Sequence, residues 1–82
     1  MEKLRKHIDQ LDSQLLELLN ERARYVKKIG EIKQKENTEV LVPQRETELL
    51  DRLTSMNKGP LSNKMVIHIF QEIIDTLKIL QK

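Results

Sequence analysis

Apolar residues in the first part of the chain stand at Leu4, Ile8, Leu11, Leu15 and Leu18, then at Tyr25, Ile29 and Ile32. The intervals alternate between four and three residues, with one interval of seven. That spacing keeps to one face of a helix with 3.6 residues per turn and predicts a single helix over about residues 3–35, roughly nine turns. Arg22 occupies the long interval. Gly30 weakens such a helix by about 1 kcal/mol relative to Ala, yet the pattern continues through it. A second stretch carries Leu49, Leu50, Leu53 and Met56 behind Pro43. Proline suits a first helical turn, so a helix over about 43–57 is expected. A third carries Met65, Val66, Ile69, Phe70, Ile73, Ile74, Leu77 and Leu80. Ser62 or Asn63 can cap its start, giving a helix over about 62–81 with a wide apolar face. Residues 36–43 and the turn signal Asn57-Lys58-Gly59-Pro60 separate the three.

Length turns this pattern into an architecture. Eighty-two residues imply one domain, 1–82. With no cysteine, no disulfide or thiolate metal site braces so small a core. A helix of about 33 residues is about 50 Å long, whereas a compact domain of this length has a radius of gyration near 12 Å. Two shorter helices cannot cover such a rod, and its apolar seam exceeds what a monomer usually exposes. The expectation is an all-α, three-helix protomer with one very long N-terminal helix, in an intertwined homodimer.

Charge narrows the functional classes. Fifteen basic and thirteen acidic residues are interspersed, for a net charge of +2, and aromatics are 2% of the chain. That combination disfavours a nucleic-acid binder. No run of about 18 apolar residues suggests a membrane span. The start, Met1-Glu2-Lys3-Leu4-Arg5, lacks the apolar core of a signal peptide, so a cytoplasmic protein is expected. His7 and His68 have no cysteine partners and no Glu-x-x-His pairing, and no metal or cofactor is expected. Neither a catalytic triad nor a Gly-rich phosphate loop is visible.

The informative residues are polar ones on apolar seams. Arg22 lies between Leu18 and Tyr25, and Lys33 lies eleven residues on, nearly on the same face. Glu46 continues the line of Leu49, Leu53 and Met56, with Arg45 beside it, and Gln81 follows Leu77 by four. Three helices thus aim a mostly cationic set at one interior, which suits a small polyanionic organic ligand. The same residues also fit a plainer reading. Inward Arg and Glu can form ion pairs that fix the register of a helical dimer, Glu46 and Arg45 can be a helix-start pair, and Lys33 and Gln81 can be solvated.

In order and spacing, the segments Leu4-Arg5-Lys6-His7-Ile8-Asp9-Gln10-Leu11-Asp12, Leu15-Leu16-Glu17-Leu18-Leu19-Asn20-Glu21-Arg22, Ile29-Gly30-Glu31-Ile32-Lys33, Pro43-Gln44-Arg45-Glu46 and Ile69-Phe70-Gln71-Glu72-Ile73-Ile74, with Gln81, resemble the all-helical chorismate mutases. The resemblance implies a protomer that dimerises through its long helix and rearranges chorismate to prephenate for tyrosine and phenylalanine synthesis, with no cofactor. It implies that Arg22 and Arg45 line the pocket, that Arg22 and Arg5 of the partner subunit hold substrate carboxylates, and that Lys33 and Gln81 donate to the ether oxygen. Glu46 would accept from the substrate hydroxyl. Arg5 stands 17 residues from Arg22, about 100° away in helix angle, a phase better suited to a partner's pocket. Two positions depart from the family pattern. Val42 stands where many relatives have Asp and would contribute its backbone N–H, and Leu77 stands where many have a small or hydroxyl residue. The turn Asn57-Lys58-Gly59-Pro60-Leu61 resembles the branch fused to 3-deoxy-7-phosphoheptulonate synthase. In that branch the domain can also serve as a ligand-sensing regulatory module with weak activity, which stands as the alternative function.

Overall fold

The computed structural model describes residues 1–36 and 43–81. Helix α1 spans Glu2–Lys35, α2 spans Pro43–Met56 and α3 spans Asn63–Leu77, followed by a short 3-10 helix, Lys78–Gln81. Among the described residues there is no strand, and the fold is all-α. Val42 falls outside the described residues.

The 34 residues of α1 form a rod of about 51 Å at 1.5 Å per residue. The longest dimension of the molecule is 52 Å, so this one helix sets it. The radius of gyration is 15.4 Å, well above the roughly 12 Å of a compact domain of this length. Charges suit the helix dipole, with Glu2 in the first turn and Lys33 and Lys35 in the last.

α2 packs on α3, and the end of the chain packs on α1. Asn57 organises the turn between α2 and α3. Its Nδ2 donates to Leu61 O at 2.8 Å and to Asn63 Oδ1 at 2.9 Å, while its Oδ1 accepts from Gly59 N at 3.1 Å. Gly59 has a φ of 78°, in the left-handed region where a Cβ is disfavoured. Ser62 then caps α3 by accepting from Met65 N at 3.1 Å.

The third helix departs from expectation at its end. It is α-helical only to Leu77, and residues 78–81 tighten into a 3-10 turn. Such tightening is a common way for an α-helix to finish. Here it accompanies a close approach to α1. An added Cβ at Gly30 would stand 2.8 Å from the Gln81 Cα, 3.1 Å from its Cβ and 3.2 Å from its Cγ. Gln34 Nε2 also donates to Gln81 O at 3.3 Å. Gly30 is therefore the seat on which the chain's end rests, not merely a tolerated weak point in α1.

Burial is confined to this joint and the α3 face. Among the described residues only Gly30, Val66 and Ile74 are buried. Leu4, Ile8, Leu11, Leu15 and Leu18 remain between 55% and 63% exposed, so α2 and α3 leave the α1 seam uncovered. Among the described residues no helix is long and apolar enough to cross a membrane.

Replacing Gly30 with Ala sets two effects against each other. Helix propensity favours Ala by about 1 kcal/mol, while overpacking against a neighbour that cannot swing away costs about 1–3 kcal/mol. The neighbour here is backbone, so the clash should win. We expect Gly30→Ala to lower the urea midpoint; a midpoint at or above the parent's would show that the chain end yields freely.

Candidate active site

The second half of α1, the start of α2 and the end of α3 line an open cavity of about 490 Å³, a size typical of small-molecule sites. From α1 come Arg22, Val26, Ile29 and Lys33; from α2 come Arg45, Glu46 and Leu49; from the end of the chain come Ile74, Leu77, Lys78 and Gln81. The spacing 22, 26, 29, 33 is one stripe of α1, so helical geometry alone aligns both cations with two apolar residues between them. Val26, Ile29, Leu49 and Ile74 supply apolar wall between the charges.

Arg22 is half-buried. Burial first, and the charge of Arg45 second, pull its guanidinium below its ordinary pKa. Both arginines nevertheless remain cationic near neutral pH. Among the described residues, neither has an ion-pair partner. Two like charges face one cavity, and the unliganded pocket bears the cost. An anion placed between them relieves it.

Among the described residues, Glu46 is the one acid on the cavity wall. It does not pair with Arg45, as a simple helix-start pair would. Its Oε2 lies 2.9 Å from Lys78 Nζ, and its Oε1 accepts from Gln71 Nε2 at 3.3 Å. Gln81 Nε2 donates to Val26 O at 3.4 Å, which fixes the amide against α1. An amide nitrogen carries two N–H groups, so one donor remains for a ligand.

Of the expected site residues, Arg22, Lys33, Arg45, Glu46, Leu77 and Gln81 all meet at this cavity. Arg5 does not. It is exposed on α1, 17 residues and so about 26 Å along the rod from Arg22. Lys78 is a residue that the sequence pattern does not single out. At 100° per residue it falls beside the apolar stripe, one turn after Ile74, whose carbonyl its backbone N–H still bonds. The visible clue is an odd cation one residue past Leu77. No group of three or more His, Cys, Asp or Glu residues that could hold a metal occurs among the described residues.

Known proteins resemble this chain in sequence and in fold. The family model described as chorismate mutase type II matches residues 4–82. The bifunctional chorismate mutase/prephenate dehydratase of Aquifex aeolicus is 42% identical over 86 residues, covering 100% of this chain and 24% of that protein. This chain thus spans about a quarter of the length of that relative. Among solved structures, a chorismate mutase from Thermus thermophilus superposes with a TM-score of 0.96 at 34% identity, covering 98% of this chain and 91% of that one. The chorismate mutase of Helicobacter pylori in complex with prephenate superposes with a TM-score of 0.88 at 32% identity, covering 98% and 87%. The Aquifex relative and three others of the same description join their mutase to a prephenate dehydratase. That corrects the kinship expected from the turn at residues 57–61, which pointed to a synthase fusion.

The lowered pKa of Arg22 carries a stability sign. A base depressed by folding disfavours the folded state in full below its folded value, and this cost fades as pH rises from there to the ordinary value of the unfolded chain. Arg22→Leu should therefore leave the unliganded thermal midpoint equal or higher throughout about pH 5–9, while weakening anion binding at least about tenfold, or 1.4 kcal/mol. Calorimetric titration and thermal melts check both halves. A large loss of stability would mean that Arg22 is a structural pair-former.

Proposed function

We propose that this chain, which belongs to the chorismate mutase type II family, rearranges chorismate to prephenate. The observation that carries the proposal is the convergence of Arg22, Lys33, Arg45, Glu46 and Gln81 on one cavity. The rearrangement is unimolecular. One ether C–O bond breaks, one C–C bond forms, and no nucleophile, net proton transfer or cofactor is needed. The pocket's task is to hold the enolpyruvyl arm folded over the ring, which removes the orientational part of the barrier. The arginines suit this task because a planar guanidinium grips a carboxylate with two parallel hydrogen bonds.

Negative charge grows on the ether oxygen as its bond to carbon lengthens. In this reading Lys33 supplies a full positive charge there and Gln81 its remaining N–H. Donors already in place need no reorganisation, and each is worth about 3–4 kcal/mol at such a site. Glu46 accepts from the substrate hydroxyl, and Arg22 holds a carboxylate with Arg45 lining the pocket beside it. Leu77 gives an apolar wall and no hydrogen bond. That wall favours a second reading, a ligand-sensing regulatory domain with weak turnover.

Two features support a homodimer. The uncovered seam of α1 needs a second apolar surface, and Arg5 is both distant from and out of phase with its own chain's cavity. In an antiparallel pair of α1 rods, Arg5 of the partner subunit reaches the second carboxylate. A cytoplasmic location suits a small-molecule enzyme of this kind. A larger chain joining this domain to a prephenate dehydratase is the pairing its relatives suggest.

Added protein should accelerate the loss of chorismate absorbance; a rate equal to the uncatalysed one would rule the mutase reading out. Lys33→Ala should lower kcat by about 10²–10³ with the fold unchanged by circular dichroism. Prephenate binding without turnover would select the regulatory reading. Arg5→Ala and Arg22→Ala should each be nearly inactive alone. Mixed, they should recover about a quarter of parent activity, since half the dimers are hybrids and each hybrid has one intact site. No recovery on mixing would defeat the shared site.

A further inference from the structure

We propose that Lys78 is a positioning residue that holds the Glu46 carboxylate on the α3 side of the pocket and so keeps Arg22 and Arg45 open to an incoming dicarboxylate. The inference rests on the mutase reading for its substrate, but not for its electrostatics.

Among the described residues, Glu46 is the one carboxylate on a cavity wall that also presents Arg22, Lys33, Arg45 and Lys78. Left to itself, a carboxylate in such company favours a guanidinium, because the two-pronged pairing is stronger than a single contact. That pairing would occupy the place of the ligand and neutralise the charge that attracts it. The geometry is otherwise. Lys78 Nζ holds Oε2 at 2.9 Å, and Gln71 Nε2 holds Oε1 at 3.3 Å. Asp75 in turn steadies both donors, at 3.0 Å from Gln71 Nε2 and 3.7 Å from Lys78 Nζ. One oxygen of Glu46 is thus tied to each of two donors beyond α2, and both donors share a second acceptor.

The clamp leaves Glu46 usable. An ionised carboxylate offers about four lone-pair positions, and these two donors take two of them. A substrate hydroxyl can still donate to it. The side chains of Lys78 and Glu46 are 32% and 22% exposed, so solvent screens the pair and its contribution to stability is small. Its consequence is directional. The hydrogen bond to Glu46 first, then the charges of Glu46 and Asp75, raise the Lys78 pKa. Lys78 therefore stays charged across the neutral range, and the clamp is lost only as pH climbs through that raised value.

The test compares Lys78→Met, Lys78→Arg, Glu46→Gln and the double variant Glu46→Gln/Lys78→Met. In a crystal structure of unliganded Lys78→Met, the Glu46 carboxylate should lie within about 4 Å of Arg22 or Arg45, the range of an ion pair. KM for chorismate should rise about tenfold or more, with kcat changed by less than about twofold; tenfold corresponds to 1.4 kcal/mol. Lys78→Arg should restore the parent KM. The double variant should match Glu46→Gln alone in KM, because a neutral amide no longer competes as an anion. A Glu46 that stays on the α3 side in Lys78→Met overturns the proposal. So does a double variant weaker than Glu46→Gln, since Lys78 would then touch the substrate directly. The crystal structure needs no turnover, so a parent without mutase activity would sink the functional reading while the position of Glu46 still decides this one.

Discussion

The contact between Gly30 and Gln81 governs the rest of the molecule. α1 is a rod that the other two helices cannot cover, and the end of the chain approaches it most closely where a residue has no side chain. A methyl group at position 30 would stand 2.8 Å from the Gln81 backbone, so the approach exists because the hydrogen of glycine leaves room. That approach seats the 3-10 turn, brings the Gln81 amide to Val26, and closes the cavity between the rod and the α2–α3 hairpin. A residue chosen for helix propensity alone would never be glycine here. The stability forgone in α1 is offset by a joint that places a donor in the pocket.

Much of this was legible in the periodicity. The intervals of three and four residues read out α1 to within a residue, and the polar interruptions at Arg22, Lys33, Glu46 and Gln81 all face the cavity. They were legible because a charged side chain on an apolar seam has few physical excuses, and a ligand of opposite charge is one of them. Lys78 is hidden from such a reading because a cation flanking an apolar stripe reads equally well as a solvated one, and the carboxylate that fixes it, Glu46, lies on another helix. Gly30 looks like a weakness in the sequence because its value lies in a residue 51 positions away. Arg5 and the uncovered seam point beyond one chain, and no periodicity within that chain can say what lies opposite.

The electrostatics of the site follow from unequal pairing. Among the described residues the cavity wall carries four cationic side chains and one carboxylate, and the carboxylate is held by a lysine rather than by an arginine. Lysine is a compact charge on a flexible stem, while arginine is a flat fork matched to carboxylates. Assigning the lysine to the internal acid and leaving the forks facing the cavity matches each cation to the partner its shape suits. Arg22 is under tension for a different first reason, its burial, to which the like charge of Arg45 adds.

A mechanical consequence follows from the way α1 meets the rest of the chain. The rod carries Arg22 and Lys33, and the hairpin of α2 and α3 carries Arg45 and Glu46. These two bodies touch chiefly where the chain's end rests on the rod. On the proposed function, a small rigid dianion bridging Arg22 and Arg45 would be a strut across the joint between them. On that reading a bound ligand would make one body out of two, and its own ring would stiffen the pocket along with the protein around it.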